Sequence, residues 1–301
     1  MLLVTGASGF LGRYVVHEAL TSGHPVVGAA HRNAAHQSGL RTVRVDLTAP
    51  SAAQELLEQV RPTKVINCAA FTNVDECERS PDIARLLNVE VPRMLAAACA
   101  RAGVSLVHIS TDSVFDGKRG NYSEEDEPAP VNEYARSKLD GERAVQEIFP
   151  EALVIRTNFI GASESGKAGL ADWITSNLEA GSRIDSFDDV VFSPLLATEV
   201  ARLLFEAVDS GLHGLYHASA ADSCSKYELA RRLSAVLALD STLIRRASLA
   251  DASMTAARPL NTSLSSSRIA TALGRLMPSV DNAVSGYAAL HLGANPKETS
   301  N

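Results

Sequence analysis

The stretch VTGASGFLGRYV, from Val4 to Val15, places three glycines at intervals of three residues directly after an apolar run. An apolar run, a glycine-rich turn and a helical pattern predict a strand that passes through a tight turn into a helix. Gly6 would permit the turn, Gly9 would let a pyrophosphate approach the backbone, and Gly12 would let helix and strand pack closely. Helix amino termini also attract phosphate groups. The pattern therefore favours a dinucleotide site over a glycine-rich connection that binds nothing.

The end of the second predicted strand indicates which dinucleotide is bound. Sites for NAD(H) commonly place a carboxylate there, about twenty residues after the glycine turn, where it bonds to the adenosine ribose. Here the chain reads GAAHRN, which contains Arg32 and no acidic residue. A guanidinium can pair with a ribose 2′-phosphate, although a solvated loop arginine is the alternative interpretation. We therefore expect NADP(H) to be favoured over NAD(H), with Arg32 at the 2′-phosphate.

Short β-branched runs alternate with helical patterns along the first half of the chain. This alternation predicts an α/β fold with a Rossmann-type, doubly wound parallel sheet that is covered by helices on both faces. After about Thr157 helical segments dominate, which predicts a smaller, mostly helical substrate domain. We place an NADP(H)-binding Rossmann domain at residues 1–160 and a substrate-binding lobe at 161–301, and expect the segment near 190–210 to return to the Rossmann core. Pro92 is expected to break or kink its helix.

The composition excludes several other classes of protein. The 301 residues are 46% hydrophobic and 21% charged with a net charge of −7, so nothing indicates a surface for nucleic acid or anionic membranes. No apolar stretch is long enough to cross a bilayer, and no secretion signal is recognisable. The cysteines and the eight histidines form no pattern typical of a metal site. We expect a cytoplasmic protein with free thiols at Cys68, Cys77, Cys99 and Cys224.

Two later segments carry the residue types that the reduction of a ketone needs. In HISTDSVFDG, Thr111 ends a predicted strand, at the edge where parallel sheets place their sites. In NEYARSKLDGE, Tyr134 and Lys138 lie four residues apart and thus on one face of a helix, although a surface amphipathic pair is the alternative. Hydride reduction requires a proton for the new alkoxide, and a phenol with a pKa near 10 donates more readily beside an ammonium. We expect Tyr134 to donate the proton, Lys138 to lower its pKa, and Thr111 to orient the carbonyl.

With these residues in place, the chain resembles the extended short-chain dehydrogenase/reductases, and within them the dTDP-4-dehydrorhamnose reductase family. The resemblance covers nearly the whole chain and is strongest in residues 5–12, 69–96, 110–142 and 258–269. The last segment, RPLNTSLSSSRI, is specific to this branch. The resemblance implies a catalytic group of Thr111, Asp112, Tyr134 and Lys138. We expect Gly12, Arg32 and Lys138 to contact the cofactor. The resemblance implies further cofactor contacts from Gly6, Gly9, Phe10, Leu11, Asp46, Leu47, Ala69, Ala70 and Thr72.

On the substrate side, the resemblance implies that Val74 and Asp75 lie near the sugar. It also implies that Arg258 lies near the nucleotide diphosphate, where a guanidinium is chemically apt. A loop arginine paired with an acid is the alternative for Arg258.

Two segments depart from the family pattern, and both are places where that family shapes its sugar pocket. They are RTNFIG, which contains Asn158 and Phe159, and DDVVFSPLLA, which keeps Pro194 but lacks the Gln, Gly and Thr of the expected motif. We expect Asn158 and Phe159 to contact the substrate. The sequence therefore predicts the cofactor and the type of reaction, but not the particular sugar.

The expected function is the NAD(P)H-dependent reduction of a 4-keto-6-deoxy nucleotide sugar, such as dTDP-4-dehydrorhamnose to dTDP-L-rhamnose. The nicotinamide would give the hydride and Tyr134 the proton. Another sugar-nucleotide reductase or an epimerase is a second hypothesis. A third is a non-catalytic NADP-binding subunit resembling the β subunit of methionine adenosyltransferase, although the intact catalytic group favours an enzyme. We expect a nucleotide-sugar substrate and a homodimer as partners, and no nucleic acid, membrane or metal ion.

Overall fold

The computed structural model of the chain describes residues 1–32, 37–163 and 169–293. The strands within these ranges are β1 (Leu2–Thr5), β2 (Val26–Ala30), β3 (Arg41–Arg44), β4 (Lys64–Asn67), β5 (Ser105–Thr111), β6 (Leu153–Thr157), β7 (Phe159–Ile160), β8 (Ile184–Phe187), β9 (Val191–Phe192), β10 (Leu195–Leu196), β11 (Gly214–Ala218), β12 (Cys224–Ser225) and β13 (Ile244–Ala247). Seven of them form one sheet in the order β11-β6-β5-β4-β1-β2-β3. All of its pairings are parallel. The predicted doubly wound sheet is therefore confirmed.

The described ranges contain eleven α-helices, some of which cover the two faces of this sheet. They are α1 (Phe10–Thr21), α2 (Ala52–Val60), α3 (Val74–Arg79), α4 (Pro81–Arg85), α5 (Val91–Ala102), α6 (Glu133–Ile148), α7 (Leu170–Glu179), α8 (Ala197–Asp209), α9 (Lys226–Val236), α10 (Ser267–Leu273) and α11 (Val280–His291). None of the helices in the described ranges is long and apolar enough to span a membrane.

Alternation along the strands separates two hydrophobic cores. Leu3 and Val65 point into a core that α2 and α5 close, whereas Val4 and Ile66 point into a second core beneath α1 and α8. Each strand of a doubly covered parallel sheet is buried on both faces, which explains why all four residues of β1 are buried. The sheet is thus a rigid platform whose carboxyl edge is left to carry the site.

The chain after β6 builds the rest of the molecule from short pieces. The strand pairs are β7–β10, β9–β12 and β8–β13. Helix α9 packs against α7, α11 and the β8–β13 pair. In contrast, α8 packs against α1, and β11 pairs with β6 at the margin of the large sheet. The second half therefore contributes one helix and one strand to the sheet layer.

A break near Pro92 was expected, and the chain there departs from regular helix over the five preceding residues. A π-helical turn spans Leu86–Glu90 between α4 and α5. Proline lacks an N–H, so Pro92 cannot donate to the carbonyl of Asn88. That carbonyl faces α6, where a Cβ on Gly141 would lie 2.0 Å from its oxygen. The irregular turn and the glycine together let α6 approach the sheet edge closely.

Candidate active site

Two close backbone approaches hold the turn between β1 and α1. Gly6 has a φ of +66°, and a Cβ on it would lie 2.6 Å from the amide nitrogen of Ala69, just beyond β4. A Cβ on Gly12 would lie 2.1 Å from the carbonyl oxygen of Gly6. A side chain at either position would displace the turn or the helix. The glycines therefore keep a shallow cradle at the ends of β1 and β4, which fits a dinucleotide.

The amino terminus of α1 faces this cradle without a capping side chain. Gly9 is its N-cap residue, and the first turn carries no acidic residue. The amide of Arg13 donates to the Gly9 carbonyl at 3.2 Å. The amides before Arg13 have no acceptor within the helix, as in any α-helix. The helix thus directs N–H donors and the positive end of its dipole toward the place where phosphate groups would bind.

A cleft of about 360 Å³ opens beside the turn. Seven of the predicted cofactor-binding residues line it: Gly6, Gly9, Arg32, Asp46, Leu47, Ala69 and Ala70. They follow the ends of four different strands, β1 to β4. Because the carboxyl ends of parallel strands meet at one edge, the fold brings these residues together.

The ribose end of the cleft carries charges of both signs. His31 Nε2 lies 3.6 Å from the Asp46 carboxylate, and both side chains are half exposed. Hydrogen bonds from Thr48 lower the pKa of Asp46, and the nearby His31 and Arg32 lower it further. Arg32 is exposed. A cationic group is therefore available at this edge, next to the carboxylate of Asp46, which follows β3.

The other five predicted cofactor residues lie outside the lining of the cleft. Phe10 stacks on Phe159 with 5.8 Å between ring centroids, so a predicted cofactor residue contacts a predicted substrate residue. The remaining four are Leu11, whose side chain is in the core, Gly12 in the helix, Thr72, which is exposed, and Lys138, which is buried.

Thr111, Tyr134 and Lys138 converge at the end of β5. Helix α6 begins with Asn132 as its cap, which accepts a hydrogen bond from the amide of Ala135 at 2.9 Å. Tyr134 is half-buried in the first turn of α6, close enough to Thr111 for that side chain to lower the pKa of the phenol. The ammonium of Lys138 is buried one turn later. The predicted group is therefore present as one cluster.

The electrostatics of this cluster differ from the expectation that Lys138 lowers the pKa of the phenol. Burial raises the pKa of Tyr134 to about 12, and the hydrogen bond with Thr111 opposes that rise. Burial lowers the pKa of Lys138 to about 8. Lys138 Nζ donates to the carbonyl oxygen of Ile109 at 2.7 Å. The carbonyl of Ile109 thus engages the ammonium, and with a pKa of about 12 the phenol of Tyr134 keeps its proton at neutral pH.

Asp112 lies beside this cluster as a buried acceptor, only 1% exposed. Its carboxylate accepts hydrogen bonds from the hydroxyl of Thr111 at 3.1 Å, the amide of Asn158 at 2.9 Å and the hydroxyl of Thr262 at 2.7 Å. Burial raises the pKa of Asp112, while these bonds oppose the rise. Sequence reasoning missed Thr262, although it lies inside the RPLNTSLSSSRI segment. Asp112 thus connects the end of β5 to the segment that carries Thr262.

Arg258 is paired with an acid, which was the alternative considered for it. Its Nη2 lies 3.0 Å from Asp75 Oδ1, and its Nη1 donates to the carbonyl of Ala256 at 2.9 Å. The amide of Ala256 also donates to Asp75, at 3.0 Å. Val74 begins α3 beside Asp75. Three of the five predicted substrate residues therefore lie together where the loop after β13 meets α3, with guanidinium N–H groups left over for a ligand.

A buried ion pair that sequence reasoning missed lies behind Lys138. Arg156 Nη2 is 2.7 Å from Glu142 Oε2, and both side chains are 3% exposed. The hydroxyl of Ser110 also donates to Glu142. Glu142 lies one turn after Lys138, and its negative charge raises the lysine pKa against the effect of burial.

The described residues contain no cluster of His, Cys, Asp and Glu that could hold a metal ion.

Comparison with known proteins assigns this geometry to a family. The model of the RmlD substrate binding domain matches residues 1–290. The chain belongs to this family. A dTDP-4-dehydrorhamnose reductase of Mycobacterium tuberculosis is 36% identical over 278 residues, covering 90% of this chain and 86% of that protein. The "Probable low-salt glycan biosynthesis reductase Agl14" of Haloferax volcanii is 37% identical over 289 residues, covering 93% and 94%.

Solved structures agree with the fold of this RmlD-family chain. The dTDP-4-dehydrorhamnose reductase of Bacillus anthracis, solved with NADP, is 26% identical with a TM-score of 0.85, covering 95% of this chain and 97% of that one. The predicted α/β fold, the family and the oxidoreductase class are therefore confirmed. A relative with a different kind of name, the methionine adenosyltransferase 2 subunit beta of Rattus norvegicus, is 32% identical over 289 residues, covering 90% and 81%.

Proposed function

We propose that this RmlD-family protein uses NADPH to reduce the ketone of a 4-keto-6-deoxy nucleotide sugar, such as dTDP-4-dehydrorhamnose. The observation that carries the proposal is Tyr134 beside Thr111, with a buried Lys138 one helical turn later, at the sheet edge that also forms the nucleotide cleft. A protein that only binds a dinucleotide needs the cleft but not a proton donor beside it.

In the proposed mechanism, a reduced nicotinamide, when bound, supplies hydride to the ketone carbon. The Tyr134 hydroxyl gives a proton to the oxygen that becomes an alkoxide. The Thr111 hydroxyl, which donates to Asp112 in the structure, turns to donate its hydrogen bond to the same oxygen. With a pKa of about 12, Tyr134 stays protonated until that charge develops. The Lys138 ammonium then stabilises the phenolate left behind, since a cation nearby favours the charged form.

The proposal assigns Arg32 to the ribose 2′-phosphate. Its support is the exposed guanidinium at the ribose end of the cleft. Arg32→Ala is expected to lower the ratio of kcat/KM for NADPH over that for NADH at least tenfold, since a charge-assisted bond to phosphate contributes roughly 1.5–3 kcal/mol. Arg61→Ala is the matched control, because Arg61 is an exposed arginine at the carboxyl end of α2 and does not line the cleft. An unchanged ratio would remove Arg32 from the proposal.

The reaction itself is tested by following NADPH absorbance with a panel of 4-keto-6-deoxy nucleotide sugars. The wild-type protein should oxidise NADPH with at least one of them. Tyr134→Phe should abolish turnover while the Kd for NADPH stays within about twofold, because the phenol is outside the lining of the nucleotide cleft. Turnover in Tyr134→Phe at the wild-type rate would refute the assigned proton donor.

A regulatory subunit is the second candidate, and the name of the Rattus norvegicus relative favours it. Tight NADP binding without oxidation of NADPH by any sugar of the panel would support this candidate instead. We also propose a homodimer as the assembly, which light scattering at micromolar concentration tests directly.

A further inference from the structure

Backbone hydrogen bonds connect the strand that ends just before Lys226 to the loop that carries Arg258 and Thr262. Lys226 follows Ser225, which pairs with Val191 in the antiparallel β9–β12 ladder. The amide of Val191 donates to the carbonyl of Leu260 at 2.6 Å, and its carbonyl accepts from the amide of Thr262 at 3.0 Å. Thr262 in turn donates to Asp112, as described above. The first residue of α9 is therefore fixed, through backbone hydrogen bonds, beside the loop that also carries Arg258.

The ammonium of Lys226 has no oxygen partner among the described residues. The other three lysines in the described ranges each have one: Asp209 for Lys64, Asp116 for Lys118 and the carbonyl of Ile109 for Lys138. Lys226 is half-buried, and its Nζ lies 5.8 Å from the centroid of the Phe187 ring. A cation–π contact of this kind orients an ammonium but does not neutralise it.

The charged groups around Lys226 leave its ammonium without an anionic partner among the described residues. Burial lowers the pKa of Lys226, the positive charge of Arg258 lowers it further, and Asp112 raises it. Asp112 already accepts several hydrogen bonds, and Asp75 is engaged by Arg258. Asp188, beside Ser225, accepts a hydrogen bond from that serine and pairs with Arg246. These three carboxylates are thus committed to other donors, and the two cations Lys226 and Arg258 lie near enough to influence each other.

We propose that Lys226 joins Arg258 in a two-cation site that binds the diphosphate group of the substrate. This inference rests on the proposed function, because it takes the loop after β13 to be the substrate side of the site. An anion between two half-buried cations gains more than it would in water, since each cation has already lost part of its hydration. Lys226 is then a substrate-binding residue that sets specificity, while the proton transfer remains with Tyr134.

The test compares Lys226→Met with the conservative Lys226→Arg, and uses Lys118→Met as the matched control on an exposed lysine. Binding of thymidine diphosphate, uridine diphosphate and thymidine is measured by calorimetry, which requires no turnover. Lys226→Met should weaken the binding of the nucleoside diphosphate roughly ten- to hundredfold and leave the affinity for thymidine unchanged. Lys226→Arg should keep part of the affinity for the diphosphate.

Two outcomes would overturn the inference. One is that Lys226→Met leaves the Kd for the diphosphates unchanged. The other is that the wild type binds no nucleoside diphosphate at millimolar concentration. Absence of NADPH oxidation by the wild type is a separate result, because it counts against the proposed reaction even where the calorimetry shows a Lys226-dependent diphosphate site.

Discussion

Arg156→Met should destabilise the protein more than the loss of any exposed ion pair. Arg156 directs three N–H···O bonds of 2.7–3.1 Å to Glu142, and both side chains are 3% exposed. Methionine has a similar length but no charge, so Glu142 would remain buried with only the Ser110 hydroxyl as a donor. Breaking a buried pair from one side typically costs about 3–5 kcal/mol, because an uncompensated charge remains. We expect a loss of that size in the free energy of unfolding.

Urea unfolding measures this loss, and two further variants isolate its cause. The double variant Glu142→Leu/Arg156→Met removes both charges and should be more stable than either single variant, since apolar replacement of a buried pair is often nearly neutral. Arg245→Met breaks the exposed pair with Asp185 and should cost less than about 1 kcal/mol. If the double variant were as unstable as the sum of the two single variants, the reasoning from buried charge would be wrong.

The same double variant should also change the pH dependence of turnover. The charge of Glu142 raises the pKa of Lys138, which burial otherwise lowers to about 8. Without Glu142 the ammonium should lose its proton at a lower pH. The alkaline limb of kcat/KM should therefore move to lower pH in a protein that still folds. A limb at the wild-type position would show that Lys138 does not govern it.

Two further predictions concern stability and cofactor binding. Burial lowers the pKa of His217 to about 3, below its ordinary 6.5, so the unfolded chain binds a proton first as the pH falls. The stability that comes from the neutral His217 is fully present above pH 6.5 and is lost as the pH falls toward 3. The loss is about 2 kcal/mol at pH 5. In His217→Gln, the free energy of unfolding measured with urea should therefore fall by about 2 kcal/mol less between pH 7 and pH 5 than in the wild type. Gly12→Ala should weaken NADPH binding at least tenfold, because its Cβ would lie 2.1 Å from a carbonyl oxygen. Gly23→Ala, which meets open space at a φ of +72°, should cost about 1 kcal/mol of stability and leave the Kd for NADPH unchanged.

Local sequence rules predicted the sheet and the cradle because both depend on neighbours in the chain. A glycine is needed at a positive φ or where backbones nearly touch, and Gly6 and Gly12 meet these two conditions. Strand–helix alternation then leaves few topologies, since crossovers between parallel strands are right-handed. Residues that follow the ends of successive strands, such as Arg32, Asp46 and Ala69, meet at one edge without further information.

The buried polar contacts could not be predicted, because they join residues of different elements that have no distinctive spacing. Thr262 reaches Asp112 across 150 positions, and Arg156 approaches Glu142 from a different element. The electrostatics of the catalytic pair depended on burial as well. Four-residue spacing places Tyr134 and Lys138 on one face, but only the fold reveals that desolvation raises one pKa and lowers the other.

The loop that carries Arg258 and Thr262 joins both ends of the proposed substrate site. At one end Arg258 is bonded to Asp75 on α3, and at the other Thr262 is bonded to the buried Asp112, which also accepts from Thr111. A substrate anion bound at Arg258 therefore acts on the same segment that orients the catalytic strand. Binding energy gained far from the ketone can then be used to align the reacting groups, so that the nucleotide contributes to the rate of reduction as well as to affinity.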